Sequence, residues 1–282
     1  MCAVKLKLLN EKIIDKNYWY PNSLFGENII AVGLFGRNGL PAKTVYSTDG
    51  GESWSLCRKH ILDGVYTQLK DGSVIGLKAH NVIQAKVRKD QEIKPFIAWV
   101  KRAKSVHDFV INEIYIDDFS KVNIPDLDGG EGDARNYCIG FIDHGIVEMD
   151  NGDLIVTMYG KFKQDNIPIP YFPPGAYQYR TWTCISKDRG DSWEYLSTVA
   201  SNEMCKLPEV SEGYCEADLL KLSDNRLLAV MRTGGSSHSK GCQDRYTPLF
   251  SATSYDLGRS WRELKPIYKY GVLPRLIKMS DG

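Results

Sequence analysis

The chain has 282 residues, of which 43% are hydrophobic and 25% charged, a balance that supports a folded core and excludes a disordered polymer. A net charge of +1 offers nothing to nucleic acid or to an acidic surface, and no apolar run reaches the roughly 18 residues of a membrane-spanning helix. Seven cysteines without Cys-x-x-Cys spacing argue against a disulfide framework or zinc site, and Met1–Asn10 is too weakly apolar for a signal peptide, so a reduced, cytoplasmic protein is expected.

Strand and turn signals recur from end to end. Ser23–Val32 reads as a hairpin around Glu27-Asn28, and Leu69–Leu77 as a second around Asp71-Gly72. Gly140–Tyr159, turning at Asn151-Gly152, aligns at constant offset with Gly213–Arg232, turning at Asp224-Asn225. A further copy opens at Pro274 and reaches its Ser-Asp-Gly turn at Gly282. Between these lie three long connections, Asp117–Cys138, Lys161–Tyr179 and Thr233–Asp244; the second carries Pro168, Pro170, Pro173 and Pro174 with Tyr171, Phe172, Tyr177 and Tyr179. Long loops gathered on one rim build binding sites, and aromatic rings suit the apolar faces of a sugar.

One octapeptide, Ser-x-Asp-x-Gly-x-Ser-Trp, occurs three times, at Ser47–Trp54, Ser186–Trp193 and Ser254–Trp261. Its Asp can accept backbone N–H groups, its Gly can take the positive φ of a tight turn, and its Trp can anchor that turn between sheets. It is therefore read as a folding element. The separation of the first two copies is close to twice that of the last two, which places one unit without the motif between them.

These octapeptides resemble the Asp boxes of the sialidase-type β-propellers. The resemblance implies an all-β, six-bladed ring of four-stranded blades, with the box between the third and fourth strands on the face opposite the active site. About four blades and one strand are expected here, at approximately 17–60, 61–116, 139–199 and 213–267, with a fifth starting at 272–282, all in one domain. Roughly 110 further residues, at about 60–70 per blade, would complete the ring, so the chain is expected to be part of a longer propeller.

Hairpin register locates candidate site residues, because positions equidistant from a turn face each other. That rule sets Glu216 opposite Arg232, Asp143 opposite Tyr159, and Asp63 opposite Ala79, each pair at the open end of a hairpin. Through the resemblance, Arg232 is matched to an arginine that clamps the substrate carboxylate, and Glu216 to the glutamate that activates a tyrosine nucleophile. Asp63 is a candidate general acid, while Arg37 and Arg245 are candidate clamps. Asp143, His144 and Tyr159 form the equivalent corner of the preceding blade, and Tyr177 comes from the aromatic loop. The sequence departs from the sialidase pattern in two places: Tyr18–Asn22 has the expected proline without its arginine, and no Asp follows Arg37 where the acid/base group is expected.

The resemblance implies a retaining glycoside hydrolase that removes a terminal, sialic-acid-like sugar from glycoconjugates and is active only in the complete chain. A non-catalytic carbohydrate-binding propeller, or a glycosidase or lyase for another sugar, are the alternatives. No cofactor is expected, nor a metal: the histidines lack ligand spacing, and Asp126, Asp128, Glu131 and Asp133 lack the EF-hand pattern and read as a solvated loop. A glycan is the expected partner.

Overall fold

The computed structural model describes residues 14, 16–84, 96–128, 140, 142, 145–170, 172, 174–222, 225–234 and 247–278. They form four successive four-stranded antiparallel units. The first comprises β1 (Tyr18–Gly26), β2 (Ile29–Gly36), β3 (Lys43–Ser47) and β4 (Ser55–Leu56), and the second β5 (Gly64–Gln68), β6 (Val74–Gln84), β7 (Phe96–Ala103) and β8 (Ile116–Asn123). The third comprises β9 (Ile146–Glu148), β10 (Leu154–Gly160), β11 (Arg180–Ser186) and β12 (Ser192–Ala200), and the fourth β13 (Cys215–Lys221), β14 (Leu227–Arg232), β15 (Leu249–Ser254) and β16 (Arg262–Tyr268). This is the all-β, propeller-type organisation that the repeats predict.

Burial explains the strand sequences. Every residue of β10 (LIVTMYG) is buried, because both of its faces are covered by neighbouring units, and such strands read as continuous apolar runs. The outermost strand β16 (RELKPIY) is almost wholly exposed and carries three charged residues, Arg262, Glu263 and Lys265, beside the exposed Ile267 and Tyr268. Among the described residues the three largest apolar clusters lie between successive units. Leu24, Ile61 and Phe109 mark the one between units one and two, Leu77, Val156 and Trp182 the next, and Tyr214, Met231 and Phe250 the one between units three and four.

The three boxes close in the same way. Ser47 Oγ donates to Asp49 Oδ1 at 2.7 Å and receives the Gly51 N–H at 2.8 Å; Asp49 in turn accepts the Ser53 N–H at 2.9 Å and the Ser53 hydroxyl at 2.6 Å. Ser186, Asp188, Gly190 and Ser192 repeat this set, as do Ser254, Asp256, Gly258 and Ser260. Each box lies between a third and a fourth strand, as expected. Between β7 and β8 a helical turn at Asp108–Asn112, with Phe109 and Val110 buried, occupies the place of the missing box.

The aspartates of all three boxes are held below the usual carboxylate range. For Asp49 the Ser53 hydroxyl and N–H dominate; at Asp188 and Asp256 burial opposes the shift, and the serine hydrogen bonds outweigh it. A depressed folded-state pKa gives stability that is fully present above the unfolded value of about 3.9 and is lost as pH falls through the folded value. The thermal midpoint is therefore expected to fall steeply below about pH 4. Asp256→Asn should lower the midpoint at pH 6 and flatten that fall, and an unchanged acid limb in the variant would refute the assignment.

Two features depart from the sequence-based expectation. The second unit runs past the predicted boundary at 116, because β8 is its fourth strand; only Ser120 and Val122 of β8 are buried, which gave that segment the look of a loop. The second and third units also share one eight-stranded sheet, since β8 pairs in parallel with β12 at Lys121–Ser192, Val122–Trp193 and Asn123–Glu194. Arg102 reinforces the seam, donating to the Gly190 carbonyl at 2.6 Å and pairing with Asp191 at 2.9 Å. Residues 272–278, the described part of the 272–282 segment expected to open a fifth unit, form no strand and lie along β13, where the Leu273 and Leu276 N–H groups bond Glu216 and Asp218.

Candidate functional site

In each unit the turn between the first two strands and the connection between the last two share one face, so the ends of the second strands and the starts of the third emerge on the other. There β14 ends at Arg232, the Lys161–Tyr179 connection leaves β10, and Asp63 precedes β5.

Register holds in two hairpins and slips in the third. Gly64 pairs with Lys78 and Gln68 with Val74, which puts Asp63 level with Ala79 as expected. In the third unit Ile146 pairs with Val156, also as expected, but Asp143 and His144 lie outside the described residues. In the fourth, Leu219 pairs with Ala229 and Asp218 with Val230, yet Arg232 faces Cys215 and not Glu216. The cause is a bulge between Cys215 and Asp218, with Glu216 in the left-handed region at φ +43°. Such a conformation costs a non-glycine residue about 1–2 kcal/mol, and bulges of this kind re-aim side chains.

The bulge still delivers Glu216 to Arg232. Arg232 Nη1 lies 2.7 Å from Glu216 Oε1, 3.2 Å from Glu212 Oε2 and 3.8 Å from Cys215 Sγ. Glu216 Oε2 accepts the Leu273 N–H at 3.1 Å. The Arg232 and Glu212 side chains are 9% exposed and that of Glu216 is 19% exposed, so Glu216 is the member of the cluster that solvent reaches most. Gly234 lies against the guanidinium, where a Cβ would stand 2.4 Å from Cζ. Two residues along β13, Asp218 has its carboxyl pushed up by burial, against the opposing Leu276 and Leu219 N–H groups.

Tyr159 borders this corner. It is buried with Tyr179, Ile169 and Cys215, its ring 5.5 Å from that of Tyr179, and Phe172 packs on the group. The proline-rich loop is thus folded onto the site through a Pro168–Tyr177 bridge, and Tyr177 lies under the Lys161 ammonium at 4.1 Å. Lys161 also pairs with Asp128 at 2.6 Å, so this part of the predicted acidic loop is engaged by a base.

Asp63 belongs to a different cluster. Its Oδ1 accepts the Tyr66 hydroxyl at 2.6 Å and Lys101 Nζ at 2.9 Å, and Lys78 Nζ stands 3.7 Å from Oδ2. Burial raises its pKa, but Tyr66, Lys101 and Lys78 together outweigh burial and leave it lowered. An acid of that kind is ionised at neutral pH, which disfavours the general-acid role expected from the sequence. Arg37 is exposed on the turn after β2, and Arg245 lies outside the described residues. Among the described residues no group of three or more His, Cys, Asp or Glu could hold a metal ion, and no helix is long and apolar enough to cross a membrane.

Sequence reasoning missed Glu212 and Arg180. Glu212 sits in a loop with no periodicity to mark it as buried. Arg180, at the start of β11, is 5% exposed and pairs with Asp165, fastening the proline-rich loop from below. Its signal was a lone arginine at the head of an otherwise uncharged strand.

Comparison with known proteins bears on the fold. The BNR/Asp-box repeat family matches residues 45–56, the first box. A protein of unknown function from Dyadobacter fermentans DSM 18053 superposes over 89% of this chain and 69% of its own, with a TM-score of 0.56 and 16% identity. The Hadza microbial sialidase Hz136 follows with 0.53 and 14% identity, over 90% of this chain and 47% of its own. The fold is that of a sialidase-like propeller. A thermostable family-43 glycoside hydrolase is also similar, at TM-score 0.50 and 11% identity, over 90% of this chain and 77% of its own. No curated protein matches the sequence. This sialidase-like propeller thus spans about half the length of the microbial sialidase it resembles.

Proposed function

We propose that this sialidase-like propeller is a glycoside hydrolase of sialidase type that releases a terminal sugar from glycoconjugates. The observation that carries the reading is the 2.7 Å contact between Arg232 and Glu216 at the open end of the fourth unit, beside a loop rich in aromatic residues. Glu216 is fixed from two sides, by Arg232 on one oxygen and the Leu273 N–H on the other, and by a bulge that a relaxed hairpin would not form. Each carboxylate oxygen has two lone pairs, so Glu216 keeps acceptor capacity for a hydroxyl that it orients or deprotonates. Sugar-acting proteins among the structural neighbours support the same reading.

The test is turnover of a fluorogenic sialoside and of a panel of neutral aryl glycosides. Glu216→Gln, which keeps shape and removes charge, is expected to lower kcat by roughly 100-fold, the scale of general base catalysis, with the fold retained. Sugar binding without turnover on any glycoside would assign a carbohydrate-binding propeller and end the hydrolase reading. An unsaturated product absorbing in the ultraviolet would assign a lyase.

A further inference from the structure

The second unit has a flank that the units on either side leave largely open. Ala98, Val100 and Val122 point into the core shared with the third unit, so by strand alternation Trp99 and Lys101 of β7 and Asp117 and Phe119 of β8 point the other way. Trp99 stands directly across from Phe119, and Lys101 across from Asp117. The first unit closes over the Lys101 end of this face, where Lys101 Nζ donates to the Ile61 carbonyl at 3.3 Å. Its own outermost strand, β4, is only Ser55–Leu56, too short to cover β8 along its length. Phe119 is accordingly 46% exposed, and Trp99 is half-buried with its ring centroid 4.2 Å from that of Phe119.

The charges around this aromatic pair are balanced. Lys78 Nζ lies 5.1 Å from the centre of the Trp99 ring, 3.4 Å from Asp117 Oδ2 and 3.7 Å from Asp63 Oδ2. Lys101 Nζ lies 2.9 Å from Asp63 Oδ1 and 5.3 Å from the centre of the Tyr115 ring. Two ammonium groups thus meet two carboxylates, and that balance decides which ligand chemistry fits. An ion of either sign would compete with pairs already made. A purely apolar partner would strip water from Lys78 and from the 43% exposed Asp117 and put nothing in its place. A neutral, hydroxyl-rich ligand meets neither obstacle. The apolar face of a pyranose can lie on an aromatic ring while its hydroxyls reach the charged groups alongside. An ammonium has three N–H donors, and among the described residues Lys78 makes one hydrogen bond, at 3.4 Å to Asp117. Tyr115, which carries the Lys101 ammonium over its ring, lies about 13 Å from Phe119 along an extended strand, so the face has the length of a short oligosaccharide.

We propose that this flank of the second unit is a binding site for a neutral oligosaccharide, with Trp99 and Phe119 as its stacking surface and Lys78 and Asp117 as hydroxyl donor and acceptor. It lies in a different unit from the Arg232 corner and assigns that corner no role. It is also compatible with the sialidase-type reading, in which the glycan bearing the terminal sugar is itself free to be neutral.

The experiment titrates the protein with cellotriose, xylotriose, lactose and N-acetyllactosamine and follows the indole N–H signals by proton–nitrogen correlation NMR, the Trp99 signal being identified by its absence in Trp99→Phe. At least one of these sugars is expected to shift the Trp99 signal with a millimolar Kd. Phe119→Ala, at a position exposed enough to spare the fold, should weaken that binding about tenfold, the scale of losing one aromatic contact, while Glu216→Gln binds as the wild type does. Should Phe119→Ala fail to fold, Asp117→Ala tests the polar half of the site, with a severalfold loss expected. A Trp99 signal unmoved by all four sugars at tens of millimolar overturns the inference and leaves the reading of the corner untouched, and one moved only by cyclohexanol overturns it by marking an apolar docking face. Sugar binding that survives undiminished in Phe119→Ala and is lost in Glu216→Gln also overturns it, and assigns the glycan contact to the corner alone.

Discussion

Arg232→Ala is expected to destabilise the protein by about 3–5 kcal/mol, the cost of breaking a buried ion pair by removing one member. The truncation removes the Nη1 contact from Glu212 and Glu216, whose side chains are 9% and 19% exposed, and vacates space against which Gly234 packs. Urea unfolding of the variant should show a lower midpoint, and turnover should be lost because Glu216 no longer has its orienting partner. The pairing itself can be separated from the arginine. In Arg232→Met combined with Glu212→Gln one buried carboxylate is removed along with the guanidinium, and the double variant should recover part of the loss. A double variant no more stable than Arg232→Ala would refute the claim that the broken ion pair is the cause.

Gly213→Ala is expected to cost about 3 kcal/mol or more, far beyond the usual penalty for alanine at positive φ. Gly213 has φ +91°, and a Cβ there would stand 2.3 Å from both the backbone nitrogen and the carbonyl oxygen of Tyr179. Those atoms carry the Tyr179–Glu212 and Tyr214–Tyr179 hydrogen bonds, so the clash cannot be relieved by rotating a side chain. Gly152 provides the comparison: its φ of +87° is nearly the same, but no atom lies within 4 Å of its added Cβ. Gly152→Ala should therefore cost only about 1 kcal/mol, the conformational part alone. Equal losses in the two variants, measured by chemical denaturation, would show that close approach at Gly213 contributes nothing.

Much of this was legible from local sequence, for a physical reason that differs from part to part. The boxes were readable because their geometry is closed within eight residues: Asp49 finds Ser47 and Ser53, and Asp256 finds Ser254 and Ser260, with no help from the rest of the fold. Register around the Asp71 and Asn151 turns was readable because a short turn between apolar strands admits one pairing. The Glu216–Arg232 contact was found for a partly mistaken reason. Simple register placed the two opposite each other, whereas a bulge moves Cys215 into that place and brings the glutamate to the arginine by another path. Nothing in the sequence of Cys215–Asp218 marks the bulge, since its left-handed residue is a glutamate and not a glycine or asparagine.

Local sequence specified the repeat, the all-β character, the box geometry and the strand order within each unit, because each depends on contacts between residues near in the chain. Tertiary structure alone decided the rest. It joined the second and third units through β8 and β12, whose pairing is made between strands some seventy residues apart in the numbering, Lys121 with Ser192. It turned Asp63 from a candidate acid into an ionised partner of Lys101 and Lys78. It also buried Glu212 against Arg232, a meeting of a loop with the end of a strand on which no local pattern bears. Charge pairing across a fold depends on where the backbone carries each group, and only the packed units fix that.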